Sequence, residues 1–241
     1  MVFRNELGNS TSKQLRDESP TIVIPVGSTE QHGPHLPLDT DTRIATAVAR
    51  AVTEDLNRPV ADDAAYLLAP ALAYGAAGEH EGFAGTISIG TDALTSVLVE
   101  YGRSASRWAR RLVFVNGHGG NVDAMCAATS RLRSEGRDAA WCPCFSADGD
   151  AHAGHTETSV LLHISPADVH TEDWCRGNGT PLAGLMPALR QVGVAAVSEV
   201  GVLGDPTTAT RADGARIFAE MVADCRLRIG RWSPSANGVL V

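Results

Sequence analysis

The stretch "TIVIPVGSTEQHGPHLPLDTDTRIATAVARAVTEDL", residues 21–56, decides the fold. It opens on a β-branched apolar run, Thr21–Gly27, of the kind that forms a buried strand. It closes with Ile44, Val48 and Val52 at helical spacing, with Asp39, Thr40 or Asp41 available as the cap. Strand then helix is the unit of a parallel sheet covered on both faces. Between the two lie Glu30, His32, His35, Asp39 and Asp41, punctuated by proline and glycine.

The rest of the chain repeats this alternation. Residues 65–75 ("AYLLAPALAYG") predict a strand interrupted by Pro70, and "GTISIG" (85–90) a short strand leaving a Gly-rich loop. Leu94, Val97, Leu98, Tyr101, Ala105 and Trp108 form one apolar face of a helix that Thr91 or Asp92 can cap. "RLVFVN" (111–116) is a buried strand, and "GHGGN" turns into a helix ending near Glu135. "DAAWCPCF" (138–145) is a further strand, and residues 148–164 pass from loop to helix. "PLAGLMPALRQVG" (181–193) reads as helical and "VAAVSEVGVLG" (194–204) as extended. A long amphipathic helix closes residues 205–229. The expected class is α/β with a mostly parallel central sheet and right-handed crossovers. Residues 1–20 are expected to form an N-terminal arm, and residues 21–241 a single domain.

Composition removes several functions. The 241 residues carry a net charge of −8, which disfavours nucleic acid and anionic membrane as partners. No run of about 18 apolar residues exists, and the N-terminus has no signal-peptide core. The 5 cysteines, an odd number, predict reduced thiols and a cytoplasmic location. Cys142 and Cys144 share one strand face and read as buried apolar residues.

Function in doubly covered parallel sheets gathers beyond the carboxyl ends of the strands. Three polar segments fall there: Glu30–Asp41, Asn116–Asn121 and Asp150–Glu157. Glu30 and His32, two apart, point to one side of an extended segment. Asp41 sits near a helix start, and His118 follows a strand in a Gly-rich turn. This set of carboxylates and imidazoles suits Zn²⁺, Mn²⁺ or Fe²⁺, and a carboxylate can bridge two such ions about 3.5–4 Å apart. Glu157 offers a further carboxylate, as ligand or as general base. His152 can carry protons. His35 reads as supporting or structural, His80 and Glu81 as lining a pocket mouth, and His155, His163 and His170 as ordinary helix or surface residues.

Rival chemistries lack their motifs. Val122 stands where G-x-G-x-x-G needs its last glycine, and no G-x-x-x-x-G-K-[ST] occurs, so a nucleotide-binding module is a weak non-enzyme alternative. No G-x-S-x-G exists to make Ser28 a nucleophile.

In order along the chain, "GSTEQHGPHLPLDTD" (27–41), "GTISIG", "VNGHGGN" (115–121) and "HAGHTETS" (152–159) resemble the motifs of the creatininase family of metal-dependent amidohydrolases. The resemblance runs from about Thr21 to about Asp205. It implies a three-layer α/β/α fold and a centre of two divalent ions (Zn²⁺, Fe²⁺ or Mn²⁺), with Asp41 as the bridging carboxylate. Glu30 and His118 would complete one site, and His32 would belong to the other. His152 matches the family's catalytic histidine.

Two departures stand out. Creatininase has tyrosine and glutamate, in G-H-Y-E-N, where this chain has Gly119 and Gly120. Glu157 is the candidate for the missing carboxylate. The tryptophans that box creatinine also have no clear counterpart. The text is most similar to a branch of peptidases that cut a small modified precursor peptide near its C-terminus, releasing a Val-Tyr-derived cofactor core. A formamide hydrolase acting on a formylaminopyrimidine nucleotide and a creatinine amidohydrolase are the alternatives. The resemblance also implies a homo-oligomer, hexameric or octameric.

Overall fold

In the computed structural model, which describes residues 5–58, 65–146 and 149–241, β1 (Thr21–Val26) is buried at every position. That is what an unbroken apolar strand requires when both its faces are covered. β2 (Tyr66–Leu68), β3 (Arg111–Asn116) and β4 (Ala139–Pro143) complete a parallel sheet of order β2-β1-β3-β4. β1 and β3 pair without a bulge from Thr21↔Arg111 to Val26↔Asn116. The two strands therefore end level, and the loops that leave them start side by side.

Among the described residues seven helices follow: α1 (Ser12–Leu15), α2 (Thr40–Leu56), α3 (Gly90–Ala105), α4 (Val122–Ser134), α5 (His155–Ile164), α6 (Leu182–Val192) and α7 (Arg211–Arg231). Alternation along the strands sorts them into layers. Val23, Val113, Val115 and Ala140 point to one face and pack on apolar residues of α2, α5 and α7. Ile22, Ile24, Leu112 and Phe114 point to the other and pack on α3 and α4. The result is three-layer α/β/α. Cys142 and Cys144 are both buried on the α2/α5/α7 side, and the cysteines are free thiols. Among the described residues no helix is long and apolar enough to cross a membrane.

Three expected strands come out differently. β2 stops at Leu68: the Ala69 amide still donates to the Val23 carbonyl at 2.9 Å, but the next bond to β1 comes from the Leu72 amide to the Pro25 carbonyl at 2.9 Å, one residue out of register, so the segment around Pro70 steps out of the ladder and returns only as a bridge. "GTISIG" runs extended but joins no strand. Its Ile87 and Ile89 amides donate to Thr29 and Gly75 in neighbouring loops, so it seals the site's edge instead of widening the sheet. Within "VAAVSEVGVLG", Val194–Ala196 form a 3-10 turn and only Leu203 pairs, with His152.

The N-terminal segment lies along the outer sheet edge. Asn5 accepts from the Leu68 amide at 2.8 Å, and Arg50 reaches Glu6 at 2.8 Å. Residues 1–4 of the expected arm lie outside the described residues.

α5, which carries Glu157 in its first turn, is set by α7. The two helices approach backbone to backbone at Gly214, where a Cβ would fall 1.8 Å from the Ser159 carbonyl oxygen. Gly214→Ala is expected to push them apart and cost about 1–3 kcal/mol, read as a lower urea midpoint at unchanged slope.

Candidate metal centre

The level ends of β1 and β3 deliver Glu30, His32 and His118 to one place, all buried. Asp41 arrives from the first turn of α2, where the helix N-terminus favours a negative charge. Glu157 and His152 come from α5 and the loop before it. His118 Nδ1 lies 3.2 Å from Glu30 Oε2 and 3.2 Å from Asp41 Oδ2. His32 Nε2 lies 3.1 Å from Asp41 Oδ1 and 3.8 Å from Glu157 Oε2. Asp41 therefore faces Glu30 and His118 with one oxygen and His32 with the other. Two groups that share it result, Glu30–Asp41–His118 and His32–Asp41–Glu157, with the donor atoms of each within 4.8 Å of one another. His152 joins a third with Glu30 and His32.

The rings are aimed by their far nitrogens. His32 Nδ1 sits 3.1 Å from the Glu30 carbonyl, and His118 Nε2 sits 3.1 Å from the Ala76 carbonyl. A ring that donates there turns its other nitrogen toward the carboxylates, where it can ligate an ion once that nitrogen is deprotonated. The His152 ring is held between His32 and His80, each 4.4 Å away centroid to centroid. Glu157 is held by the Ala153 amide at 2.6 Å. Ala153 takes a left-handed backbone, φ 51°, to point that amide inward, a conformation that costs a non-glycine residue energy.

The electrostatics call for positive charge at this place. Ser28 Oγ is 2.7 Å from Glu30 Oε2 and 2.7 Å from Asp41 Oδ2, yet its one proton can satisfy only one of them. The other Glu30 oxygen is buried and accepts no well-aligned hydrogen bond, with only the His80 Nε2 at 3.2 Å beside it, and buried carboxylates need a counter-charge. The imidazoles supply part of it. Burial opposes charge on His32, but Asp41, Glu157 and Glu30 raise its pKa to about 10. Burial likewise opposes charge on His118, and Glu30 and Asp41 raise it well above the ordinary value. Burial would lift Asp41, but His32 and His118 hold it well below the usual carboxylate range. Desolvation pushes Glu157 up to about 7. His152 is pushed well below its ordinary value by burial and by the neighbouring His32 and His80 rings. An oxygen and nitrogen donor set without thiolate suits Zn²⁺, Mn²⁺ or Fe²⁺.

All the residues singled out in the sequence as ligands or proton carriers meet here. His80 meets them too, its Nε2 3.2 Å from Glu30 Oε1. Glu81 lines a cavity of about 450 Å³, shared with Ala76, Glu79, Ser88 and Gly120. His35 is buried away from the carboxylates, 2.8 Å from Thr158 Oγ1, and burial lowers its pKa to about 4. His155, His163 and His170 stand apart, on α5 and the loop beyond it.

Sequence reasoning missed Gln31, Asn121 and Glu79. Gln31 Nε2 lies 2.8 Å from His80 Nδ1, 3.1 Å from His152 Nε2 and 3.1 Å from the Gly201 carbonyl. Asn121 ties three loops, accepting from the Ala76 amide and donating to Gly27 and Asn116. Their only signal was position inside the two densest motifs. Glu79 had none beyond adjacency to His80.

Comparison with known proteins agrees with the geometry. The family model described as creatininase, creatinine amidohydrolase, matches residues 6–228. A protein of Mycobacterium tuberculosis (strain H37Rv) named mycofactocin precursor peptide peptidase is 68% identical over 98% of this chain and 94% of its own length. One of the same name from Mycolicibacterium smegmatis is 65% identical over 100% of this chain and 96% of its own. The solved structure of a manganese form of creatininase superposes with a TM-score of 0.76 at 25% identity, covering 95% of this chain and 99% of that one. The strand-end carboxylates and imidazoles, the three layers and the matches along nearly the whole length lead to one conclusion: this chain belongs to the creatininase family of metal-dependent amide hydrolases.

Proposed function

We propose that this chain is the peptidase that cuts the modified mycofactocin precursor peptide near its C-terminus, releasing the Val-Tyr-derived core. The observation that carries the reading is Asp41, shared between two donor groups as a carboxylate bridging a metal pair would be. The names of the relatives at 65% identity and above point to the substrate. Gly119 supports it locally: a Cβ there would meet nothing within 4 Å, which leaves open space beside His118 for a peptide group.

In this reading Glu30, Asp41 and His118 would hold one divalent ion, and His32, Asp41 and Glu157 the other, as Zn²⁺, Fe²⁺ or Mn²⁺. Bound ions supply a water of lowered pKa and polarise the amide carbonyl. The chain's residues do the rest. An amide nitrogen leaves poorly unless it is protonated, so a proton must be carried to it. His152 is the carrier: its ring is neutral at pH 7 and can take up a proton and hand it on. Glu157, with its pKa near 7 in the metal-free protein, is the second candidate, and as a ligand it would lose that freedom. Burial of the set, all but the partly exposed Glu157, limits the access of bulk water to these protons. The enzyme works in the cytoplasm as a homo-oligomer, hexameric or octameric. Leu38, Tyr74 and Ile87, exposed around the site's edge, offer apolar surface for such an assembly.

Incubated with Zn²⁺, Fe²⁺ or Mn²⁺, the protein is expected to cut the modified precursor peptide and to leave creatinine and a formylaminopyrimidine nucleotide intact, by mass spectrometry. A chelator should abolish cleavage. Cleavage of creatinine or the formamide alone would replace the peptide reading. His152→Asn is expected to lower kcat by about 10²–10⁴-fold while metal content, measured by elemental analysis, stays that of the wild type.

Metal uptake should also release protons. His32, with its pKa raised to about 10, is protonated at pH 7 in the metal-free protein, and a ligating ring must be neutral. Affinity should therefore rise with pH until that pKa is passed. Calorimetry in buffers of different ionisation enthalpy reads the released protons directly, and none released at pH 7 would contradict His32 as a ligand.

A further inference from the structure

Gly120 and Glu79, far apart in the chain, meet beside His118. A Cβ on Gly120 would lie 2.3 Å from the Ala76 carbonyl oxygen, 2.5 Å from His118 Nε2 and 2.8 Å from Glu79 Oε1. The space a side chain at 120 would take is already filled, and one of the groups filling it is a carboxylate from another segment. Glu79 reaches in from the turn Gly78–His80. Its Oε1 lies 3.6 Å from His118 Nε2 and 4.0 Å from His80 Nε2. Both of those rings reach Glu30 with their own nitrogens.

We propose that Glu79 is a positioning residue for His118, holding the ring with its Nε2–H toward the Ala76 carbonyl so that Nδ1 faces Glu30 and Asp41 and is free to ligate once it gives up its proton. This rests on the metal-centre reading above. A ligating Nδ1 requires the proton on Nε2, and that N–H faces the Ala76 carbonyl at 3.1 Å. The carbonyl fixes direction. The nearby carboxylate adds negative charge on the same side, which stabilises the N–H and makes the opposite nitrogen a stronger donor. Glycine at 120 is what permits the approach, since any side chain there would strike both the ring and the carboxylate. The chain thus supplies a carboxylate to this side of the ring from the 78–80 turn and leaves position 120 bare. Glu81, two residues on, shares the cavity wall but has no contact with either ring among the described interactions.

The test uses the full chain as wild type, Glu79→Gln, Glu79→Asp and Glu81→Gln, each freed of metal. Each is titrated with Mn²⁺ and Zn²⁺ against a chromophoric chelator. Glu79→Gln is expected to weaken one of the two binding steps by about 10–100-fold, leaving the other step and the melting temperature of the metal-free protein unchanged. Glu79→Asp should recover part of the loss, and Glu81→Gln should bind as the wild type does. With metal in excess, kcat on the precursor peptide should return to within a few-fold of wild type. Unchanged affinity in Glu79→Gln overturns the proposal. So does equal weakening of both steps together with a lower melting temperature, which would mark a purely structural role. A wild type that takes up neither ion overturns the metal-centre reading and this proposal together, an outcome distinct from the other two.

Discussion

Two carboxylates, Glu30 and Asp41, are buried side by side and point at a single hydroxyl, that of Ser28. Like charges at this separation and depth are unstable unless something positive stands between them. Much of the surrounding structure answers that constraint. The imidazoles of His32 and His118 are driven toward their charged forms. The start of α2 is placed under Asp41, and a second carboxylate–imidazole pair, His32 and Glu157, closes the far side. A fold selected only for stability would not assemble such a cluster, because an apolar core of the same volume holds together at least as well.

The scaffold that makes the cluster possible is the in-register pairing of β1 and β3. Two parallel strands ending at one level bring residues from near position 30 and position 118 within hydrogen-bonding reach. Two of the covering helices then add one group each. α2 contributes Asp41 through its first turn. α5 contributes Glu157 through its own first turn, held in place by the close approach to α7. Asn121 and Gln31 lock the loops against one another, so the donors are held by side chains that themselves have fixed partners.

Much of this was readable beforehand. β1, β3 and α2 follow from unbroken apolar runs and four-residue spacing, where local pattern and tertiary burial demand the same thing. The meeting of Glu30, His32, Asp41, His118, His152 and Glu157 was readable because topology sends every loop at the carboxyl ends of parallel strands to the same edge. What escaped notice lies where bonding partners, not pattern, decide. "GTISIG" has strand-like text, but its amides find acceptors in Thr29 and Gly75, so it never enters the sheet. Tyr66–Leu68 is cut short where the segment around Pro70 slips one residue out of register with β1. Glu79 carries no periodic or motif signal, because its proximity to His118 depends on the absence of a side chain some forty residues away.

Every donor atom of the cluster belongs to one polypeptide, and each comes from a segment anchored in that polypeptide's own core. The folding of a single chain is thus what brings these donors together. Whatever self-association adds, whether walls for the cavity, control of access or resistance to unfolding, it is added around a cluster whose described donors all come from one chain.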